Sequence, residues 1–332
     1  MAKAKPLFPG HHQPHLPADL GFYDLRLPET RAAQADLARQ YGIHGFCYYH
    51  YWFNGKRLLE RPFEEVLASG QPDFPFCLCW ANENWTRRWD GLHSEILMEQ
   101  VYSPENDLEH IRHLLKAFAD PRYIRVEGKP LFLVYRSSAL PDPKRTTDIW
   151  RNEALRSGIG ELFLCKVESF PNEHGDPAST GFDASVEFQP DWGNLPFPLK
   201  RGRRWDYLRK AGLSRKIFGQ NHFYSYEALV DRMSKKSEPP YLRFPGVTPS
   251  WDNTARRKEG ATVFLDSSPE LYGRWLLSAG QKLQQFPASR RFLFLNAWNE
   301  WAEGNHLEPC QKWGHRYLEV TREVLSAFEH AR

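Results

Sequence analysis

Two glutamates near the C-terminus, Glu300 and Glu303, are the residues of this chain whose types and spacing are best suited to chemistry. A pair of carboxyl groups can divide acid and base work, because one can be held protonated while the other is ionised. Trp298 and Trp301 flank them, and indole rings offer flat apolar faces to a sugar ring. The segment therefore predicts acid–base chemistry on a carbohydrate.

A structural role is the alternative for this pair, because carboxylates also cap helices and pair with arginines. On a continuous strand Glu300 and Glu303 would lie on opposite faces, about 10 Å apart. They can share one site only if the chain bends between them. Gly304 permits such a bend, since glycine adopts backbone conformations that other residues avoid.

The elements that must position this pair follow one repeated order, an apolar strand followed by polar and aromatic residues. The predicted strands are 43–51, 74–80, 131–135, 162–167, 182–188, 241–247 and 292–295. The predicted helices are 28–40, 61–69, 104–118, 147–157, 226–233, 269–283 and 313–328. This alternation indicates an α/β fold with a parallel sheet, and the length suits one domain of residues 1–332 with an insertion at about 194–240.

The closed form of such a sheet is the (β/α)8 TIM barrel, which has eight strands. Seven strands are predicted here. The missing strand is the first one, because no strand is predicted before helix 28–40. The expectation is a TIM-barrel-like fold in which strand 1 is missing or replaced.

Polar and aromatic residues at the ends of the predicted strands are candidates for sugar binding, because they supply hydrogen-bond donors, acceptors and flat faces. They are His50, Tyr51, Trp52, Trp80, Asn82, Glu83, Asn84, Trp85, Trp251, Asp252, Asn253, Asn299 and His306, together with Trp298 and Trp301. Packing of the barrel, shielding of its mouth and tight turns are the alternative roles for these residues.

Basic residues suggest a second kind of ligand. Arg87, Arg88, Arg256 and Arg257 could hold a phosphate or an acidic sugar, or be solvated or salt-bridged. The basic residues Lys200, Arg201, Arg203 and Arg204 could meet an anionic lipid carrier at a membrane surface, or lie in a solvated loop.

Composition and missing motifs narrow the function. The net charge of +3, from 44 basic and 41 acidic residues, gives no reason to expect a nucleic-acid partner. Five cysteines, an odd number placed mainly in apolar runs, suit reduced buried thiols. No membrane-spanning run or signal core is present, so a cytoplasmic location is expected.

No cofactor is expected, since nucleotide-binding glycine motifs and an Asp-x-Asp metal–nucleotide motif are both missing. A metal held by Glu303, His306 and Glu308 is conceivable, but their spacing matches no zinc signature and no metal is predicted.

Five motifs, in the same order along the chain, resemble the WbsX-type proteins, which are described as glycosyltransferases of bacterial lipopolysaccharide or O-antigen biosynthesis. The motifs lie at 50–60, 79–91, 129–131, 245–253 and 296–304. The domain of this family is similar to glycoside hydrolase family 99, the endo-α-mannosidases and mannanases. The resemblance covers almost the whole chain and implies a (β/α)8 barrel. WbsX-type domains usually begin with a strand carrying Tyr-x-Pro-Gln-Phe-His and a Gly-Phe-Thr-Glu-Trp loop, and this chain begins after both.

The resemblance also assigns roles, because family 99 carries its catalytic pair in a matching Asn-Glu-Trp-x-Glu-Gly segment. It implies that Glu300 acts as a base on the sugar 2-hydroxyl to form a 1,2-anhydro intermediate, with retention of configuration and without a metal. Glu303 would protonate the leaving oxygen and later deprotonate the acceptor.

Three functions follow from these residues. The first is cleavage or transfer of α-linked mannose- or rhamnose-like units in a bacterial surface polysaccharide. The second is a glycosyltransferase that uses an activated donor, and the third is a non-catalytic carbohydrate-binding protein. An oligosaccharide or polysaccharide is the expected partner, free or linked to a lipid at the membrane surface.

Overall fold

A parallel sheet is the centre of the computed structural model, which describes residues 4–86, 96–199, 211, 220–257 and 259–329. The strands of these ranges are β1 (Phe46–Phe53), β2 (Lys56–Leu58), β3 (Phe76–Trp80), β4 (Trp85–Thr86), β5 (Ile96–Met98), β6 (Arg125–Val126), β7 (Lys129–Val134), β8 (Phe163–Glu168), β9 (Ala184–Glu187), β10 (His222–Ser225), β11 (Arg243–Phe244), β12 (Gly246–Val247), β13 (Thr262–Leu265), β14 (Phe294–Leu295), β15 (Asn299–Glu300) and β16 (Asn305–His306). The helices are α1 (Pro28–Gln40), α2 (Arg61–Ser69), α3 (Pro104–Phe118), α4 (Pro143–Arg156), α5 (Tyr226–Ser234), α6 (Pro269–Leu283) and α7 (Arg316–Glu329).

Parallel strands follow one another in chain order across the sheet. The order is β1, β3, β7, β8, β9 and β11, and the chain then continues through Pro245 into β12, which pairs with β14. Counting β11 and β12 as one interrupted strand gives the seven predicted from sequence, so that prediction is confirmed. Among the described residues β14 and β1 do not pair with each other, and the sheet is open between them.

Helices α3 and α4 cover the outer face of this sheet. Ile111, Leu114 and Phe118 form the apolar stripe of α3 at helical spacing and are at most 1% exposed. Ser103 begins the helix, because its side chain accepts a hydrogen bond from the backbone N–H of Asn106 at 3.1 Å. The result is a continuous hydrophobic core between the helices and β3, β7, β8 and β9.

A second core joins α5, α6 and α7 to β12 and the C-terminal segment. Helices α6 and α7 approach closely at glycines. A Cβ added to Gly273 would lie 2.4 Å from Val320, and one added to Gly280 would lie 2.4 Å from Phe328. Small residues at these two positions are therefore required for the observed helix packing.

The N-terminal segment, residues 4–27, has no long helix or strand and lies against the C-terminal segment. The backbone N–H of Ala18 donates to the carbonyl of Pro309, and that of Gln311 donates to the carbonyl of Leu16, each at 2.9 Å. The side chain of His11 bonds to Asp252 at 2.7 Å. These contacts hold residues 4–27 next to the segment that carries Glu300 and Glu303.

The cysteines are free thiols, as predicted, but one part of that prediction is wrong. Cys47 is exposed, because it faces the interior of the open sheet, and Cys310, which lies outside the apolar runs, is buried. Cys77 and Cys79 do share one face of β3, as expected from their spacing. Across the described ranges, the helices are all too short or too polar to cross a membrane. Arg87, Arg88, Lys200, Arg201, Arg203 and Arg204 lie outside these ranges.

Candidate functional site

A cavity of about 1220 Å³ runs through the interior of the open sheet. At the carboxyl ends of the strands its lining includes both glutamates and the residues around them: Tyr49, Tyr51, Glu83, Asn84, Trp85, Tyr135, Arg256, Arg257, Asn299, Glu300 and Glu303. Trp298 also lines the cavity, but its ring packs against Phe46, the first residue of β1, with ring centroids 5.2 Å apart. Further in, Cys47, Cys77 and Cys79 line it, and it reaches Arg125 and Arg291 at the amino ends. The polar end is the candidate active site, since ligands of parallel sheets bind at the carboxyl ends of the strands.

The chain bends between the two glutamates, as their use in one site requires. Strand β15 ends at Glu300, a 3-10 turn spans Trp301–Glu303, and β16 returns antiparallel to β15. Gly304 ends the turn with φ +58°, and a Cβ there would lie 2.9 Å from the carbonyl oxygen of Asp252. Both the backbone conformation and the lack of space favour glycine at this position.

The carboxyl group of Glu303 is buried beside Glu300 and two arginines. Burial raises its pKa to about 7, and the negative charge of Glu300 adds to the effect, while Arg256 and Arg257 oppose it. Nη1 of Arg256 lies 2.8 Å from Oε1 of Glu303. Burial also raises the pKa of Glu300, again against Arg256. The two carboxyls thus differ in their environments, as an acid–base pair requires.

Two tyrosines bring hydroxyl groups to this pair. The pKa of Tyr51 is raised to about 12, mainly by burial and also by the negative charge of Glu300. Burial also raises the pKa of Tyr135, and Glu83 and Glu303 contribute. Both phenols are therefore protonated at neutral pH, and each offers one O–H donor near the carboxyl groups.

The segment after β3 builds one wall of the cavity. Arg136 holds Glu83 at 2.5 Å and the buried Glu173 at 2.8 Å. The side-chain oxygen of Asn84 accepts from the backbone of Gln100 at 2.6 Å. The ring of Trp85 meets that of Tyr51 edge-on, with centroids 5.3 Å apart. Glu83 and Asn84 are thus held in place by protein partners before any ligand arrives.

Four predicted binding residues of this region do not line the cavity: His50, Trp52, Trp80 and Asn82. Side chains alternate along a strand, so Tyr49 and Tyr51 face inward while His50 and Trp52 face α3. His50 bonds to His110 at 3.0 Å, and Trp52 donates to Asn106 at 2.8 Å.

Trp80 and Asn82 are fully buried among protein partners. The indole N–H of Trp80 donates to the carbonyl of Trp52 at 3.2 Å. Asn82 makes paired bonds of 2.8 Å with the backbone of Arg136. Arg87, also predicted to bind substrate, lies outside the described residues.

Trp251, Asp252 and Asn253 are buried behind the cavity and do not line it. Asp252 accepts from His11 at 2.7 Å and its backbone N–H donates to the carbonyl of Glu303 at 2.7 Å. Asn253 accepts from the backbone of Thr262 at 2.8 Å. These residues therefore position the turn that carries Glu303.

Trp301 and His306 also lie behind the cavity wall, stacked with ring centroids 3.8 Å apart. The indole N–H of Trp301 donates to the buried Glu308 at 2.7 Å, and Tyr23 donates to the same oxygen at 2.8 Å. Asn299, which does line the cavity, donates to the hydroxyl of Tyr23 at 2.9 Å. Glu308 is thus the centre of a network behind Glu300. In the part of the chain that the structure describes, no three His, Cys, Asp or Glu side chains are placed to hold a metal ion.

Sequence reasoning missed Tyr49 and Tyr135 as contributors to this site, and it considered Glu308 only as a conceivable metal ligand, not as the acceptor of a buried network. Tyr49 and Tyr135 had a usable signal, because Tyr49 shares a strand face with Tyr51 and Tyr135 is the last residue of the predicted strand 131–135. Glu308 had none, since its contacts come from residues far away in the chain, such as Gln34, which donates to it at 2.6 Å.

Comparisons with known proteins show the family and the fold. The model of the family described as glycosyltransferase WbsX matches residues 1–321. Two proteins named WxcX, from strains B100 and ATCC 33913 of Xanthomonas campestris pv. campestris, are 43% and 42% identical over 327 residues. The match covers 98% of this chain but 45% of each relative, so the chain spans less than half the length of these curated relatives.

Solved structures share the fold at low sequence identity. A glycoside hydrolase-like protein aligns with TM-score 0.63 and 16% identity over 93% of this chain and 89% of its own. The family 99 endo-α-mannosidase of Bacteroides thetaiotaomicron aligns with TM-score 0.60 and 16% identity over 96% of this chain and 89% of its own. The TIM-barrel-like fold class is therefore confirmed, while the described sheet is not a closed barrel.

Proposed function

The chain belongs to the WbsX glycosyltransferase family, and from this premise we propose that it cleaves or transfers α-linked, mannose- or rhamnose-like glycosyl units of a bacterial surface polysaccharide. The observation that carries the proposal is the pairing of Glu300 and Glu303 in one cavity, with the pKa of Glu303 raised to about 7. A carboxyl group with that pKa can be protonated at the start of a reaction and ionised at its end.

In the first step of the proposed mechanism Glu300 removes the proton of the sugar 2-hydroxyl. The 2-oxygen then attacks the anomeric carbon, and the bond to the leaving oxygen breaks while Glu303 protonates that oxygen. The product is a 1,2-anhydro sugar. Burial of both carboxyls supports the step, because charge interactions are stronger where water is excluded.

In the second step Glu303, now ionised, takes the proton of the acceptor. The acceptor oxygen attacks the anomeric carbon, the anhydro ring opens, and Glu300 returns its proton to the 2-oxygen. Two inversions give net retention of configuration. Water as the acceptor gives hydrolysis, and a sugar hydroxyl gives transfer. The mechanism needs no metal.

Side chains around the pair have matching roles. The hydroxyl of Tyr51 is a donor for a sugar hydroxyl, and Trp85 offers an aromatic ring at the cavity wall. Fixed donors of this kind are prepared for the ligand, because few side chains have to be ordered on binding.

The test is conversion of α-linked mannose and rhamnose oligosaccharides by the wild type and by Glu303→Gln and Glu300→Gln. Each substitution is expected to lower turnover by at least about 100-fold while thermal unfolding stays cooperative. The exposed Glu109, on α3 outside the cavity, supplies the matched control Glu109→Gln, which should keep full activity. Unchanged turnover in both cavity variants would leave a non-catalytic carbohydrate-binding protein as the better description.

A transferase that uses an activated donor is the second candidate, and the two cavity arginines Arg256 and Arg257 favour it. An activated donor carries phosphate, which arginine binds well. A nucleoside diphosphate sugar, or a lipid-linked sugar, should then raise the melting temperature of the protein, whereas the neutral sugar alone should not.

A further inference from the structure

We infer that Arg256 and Arg257 form an anion subsite beside Glu303, and that this subsite binds a phosphate group of the glycosyl donor. The inference rests on the proposed function, in which Glu303 protonates the leaving oxygen. A phosphate attached to that oxygen would lie next to Glu303, in the cavity that both arginines line.

The position of the two arginines is fixed by the backbone that carries them. They follow the 3-10 turn Asn253–Ala255, and the backbone N–H groups of Arg256 and Arg257 both donate to the carbonyl of Asn253, at 3.2 and 3.0 Å. Asp252, at the start of the same turn, donates its N–H to the carbonyl of Glu303 at 2.7 Å. The turn that carries both arginines is therefore tied by its backbone to the residue proposed as the acid.

The charges at this end of the cavity leave a positive excess when Glu303 is protonated. Arg256 pairs with Glu303 at 2.8 Å, whereas Arg257 has no carboxylate within salt-bridge distance among the described residues and bonds only to the carbonyl of Gly260, at 3.3 Å. Once Glu303 takes up a proton, Glu300 is the remaining carboxylate that acts on this end of the cavity, as far as the described residues go.

The other carboxylates of the cavity wall do not cancel this excess, because they are already paired. Among the described residues Glu83 is held by Arg136 at 2.5 Å, Glu187 by Lys236 at 2.6 Å, and Glu127, at the amino ends of the strands, by Arg290 at 2.8 Å. An anion is therefore the ligand that balances Arg256 and Arg257 during the step in which Glu303 is protonated.

Phosphate fits this pair of arginines better than a carboxylate does. A carboxylate has two oxygens and is fully used by one guanidinium fork, whereas a phosphate offers oxygens to two guanidinium groups at once. Arg256 can turn from Glu303 to the phosphate, since its side chain is 35% exposed. Departure of Arg256 removes a cation that lowers the pKa of Glu303, so anion binding favours the protonated acid.

The direct test measures binding of inorganic pyrophosphate by titration calorimetry at low salt, with glucuronate as the carboxylate probe. Wild type should bind pyrophosphate more tightly than glucuronate, and Arg257→Ala and Arg256→Ala should each weaken binding by about tenfold or more. The exposed Arg145 of α4 lies outside the cavity lining and gives the matched control Arg145→Ala, with wild-type affinity expected. No binding by the wild type, equal binding of glucuronate, or wild-type affinity in Arg257→Ala would overturn the inference.

A second measurement follows the coupling to Glu303 and needs no turnover. Dimethyl phosphate, whose single charge is constant around neutral pH, should raise the pKa of Glu303 measured by carbon NMR, and it should bind more tightly as the pH falls through about 7. In the described part of the chain, the charged and titratable groups facing Glu303 are Glu300, Arg256, Arg257 and Tyr135. An unchanged pKa with the anion bound would contradict the exchange of partners by Arg256.

The source of the phosphate is distinguished by two further ligands, a nucleoside diphosphate and an isoprenyl diphosphate. Tighter binding of one than of pyrophosphate identifies a nucleotide or a lipid as the rest of the donor. These experiments are independent of the oligosaccharide test. Cleavage of a neutral oligosaccharide without any anion binding would remove this inference alone, and anion binding without cleavage would remove only the hydrolytic form of the proposed function.

Discussion

Three carboxyl groups within nine residues, Glu300, Glu303 and Glu308, have three different surroundings. Glu303 faces an arginine, Glu300 faces the cavity, and Glu308 is 2% exposed and accepts hydrogen bonds from three side chains. The same residue type can therefore serve as acid, as base and as a fixed structural acceptor, because its neighbours decide its state.

Replacing Glu308 with glutamine tests the structural role. Oε2 accepts from Trp301 and Tyr23 and Oε1 accepts from Gln34, so an amide group in either orientation places a donor against a donor. Glu308→Gln is expected to lower the free energy of unfolding by about 1–3 kcal/mol, measured by urea denaturation. An unchanged value would show that the network rearranges around the amide.

At the residue scale, the sequence supports the proposed glutamate pair but could not predict which neighbours line the cavity. The Trp298–Gly304 segment predicted both the carboxyls and the bend between them. In β1, aromatic or polar side chains occur at consecutive positions, among them His50, Tyr51 and Trp52. The inward face could not be told from the outward face, because amphipathic alternation is the only signal for it.

At the scale of elements, the predictions succeeded where the periodicity was clear. Helix α3 and helix α6 begin and end where predicted, since each has a proline at its first turn and a regular apolar stripe. Helix α4 begins earlier than predicted, at Pro143, because Asp142 caps it by accepting from the backbone of Arg145. The interruption of one strand at Pro245 was not predicted.

The N-terminal segment is an element whose attachment should depend on pH. His15 and His306 lie 3.1 Å apart, and burial lowers their pKa values to about 3 and about 4, with His306 adding to the effect on His15. Both imidazoles are therefore neutral in the folded protein, whereas in the unfolded chain they titrate near about 6.5. The unfolded state binds more protons below that pH, so acid should destabilise the fold.

The prediction is that the free energy of unfolding of the wild type decreases as the pH is lowered from about 7 to about 5. The free energy of unfolding of the His15→Gln variant should decrease less over the same interval. Urea denaturation at the two pH values measures both slopes. His222 is exposed on β10, so His222→Gln should retain the wild-type slope. An equal slope in His15→Gln and the wild type would contradict the assignment of the acid sensitivity to this contact.

At the scale of the whole molecule, an open sheet surrounds a cavity where a closed barrel would be filled with side chains. The lining of its inner part includes the small residues Cys47, Cys77 and Cys79. The pKa of Cys77 is raised mainly by a hydrogen bond with Cys47 and also by burial, and the pKa of Cys79 is raised by burial. Cys47 is the exposed thiol among them.

Labelling with a small uncharged maleimide should therefore modify one cysteine of the folded protein faster than the rest. Mass spectrometry of the labelled chain is expected to place the adduct on Cys47, and Cys47→Ser should remove the fast reaction. The buried Cys310 gives the control Cys310→Ser, which should react like the wild type. Several thiols reacting at the same rate would show that the interior opens more widely than the structure does.

The close fit of Gly304 against Asp252 has a consequence for exchanging parts between relatives. The two residues are 52 positions apart in the chain, yet there is no room for a methyl group between them. Asp252 is also hydrogen-bonded to His11. In a chimeric protein that took the loop of Gly304 or that of Asp252 from a distant homologue, the two loops would no longer fit each other sterically. Swaps meant to alter specificity should therefore transplant both loops and the leading segment as one block.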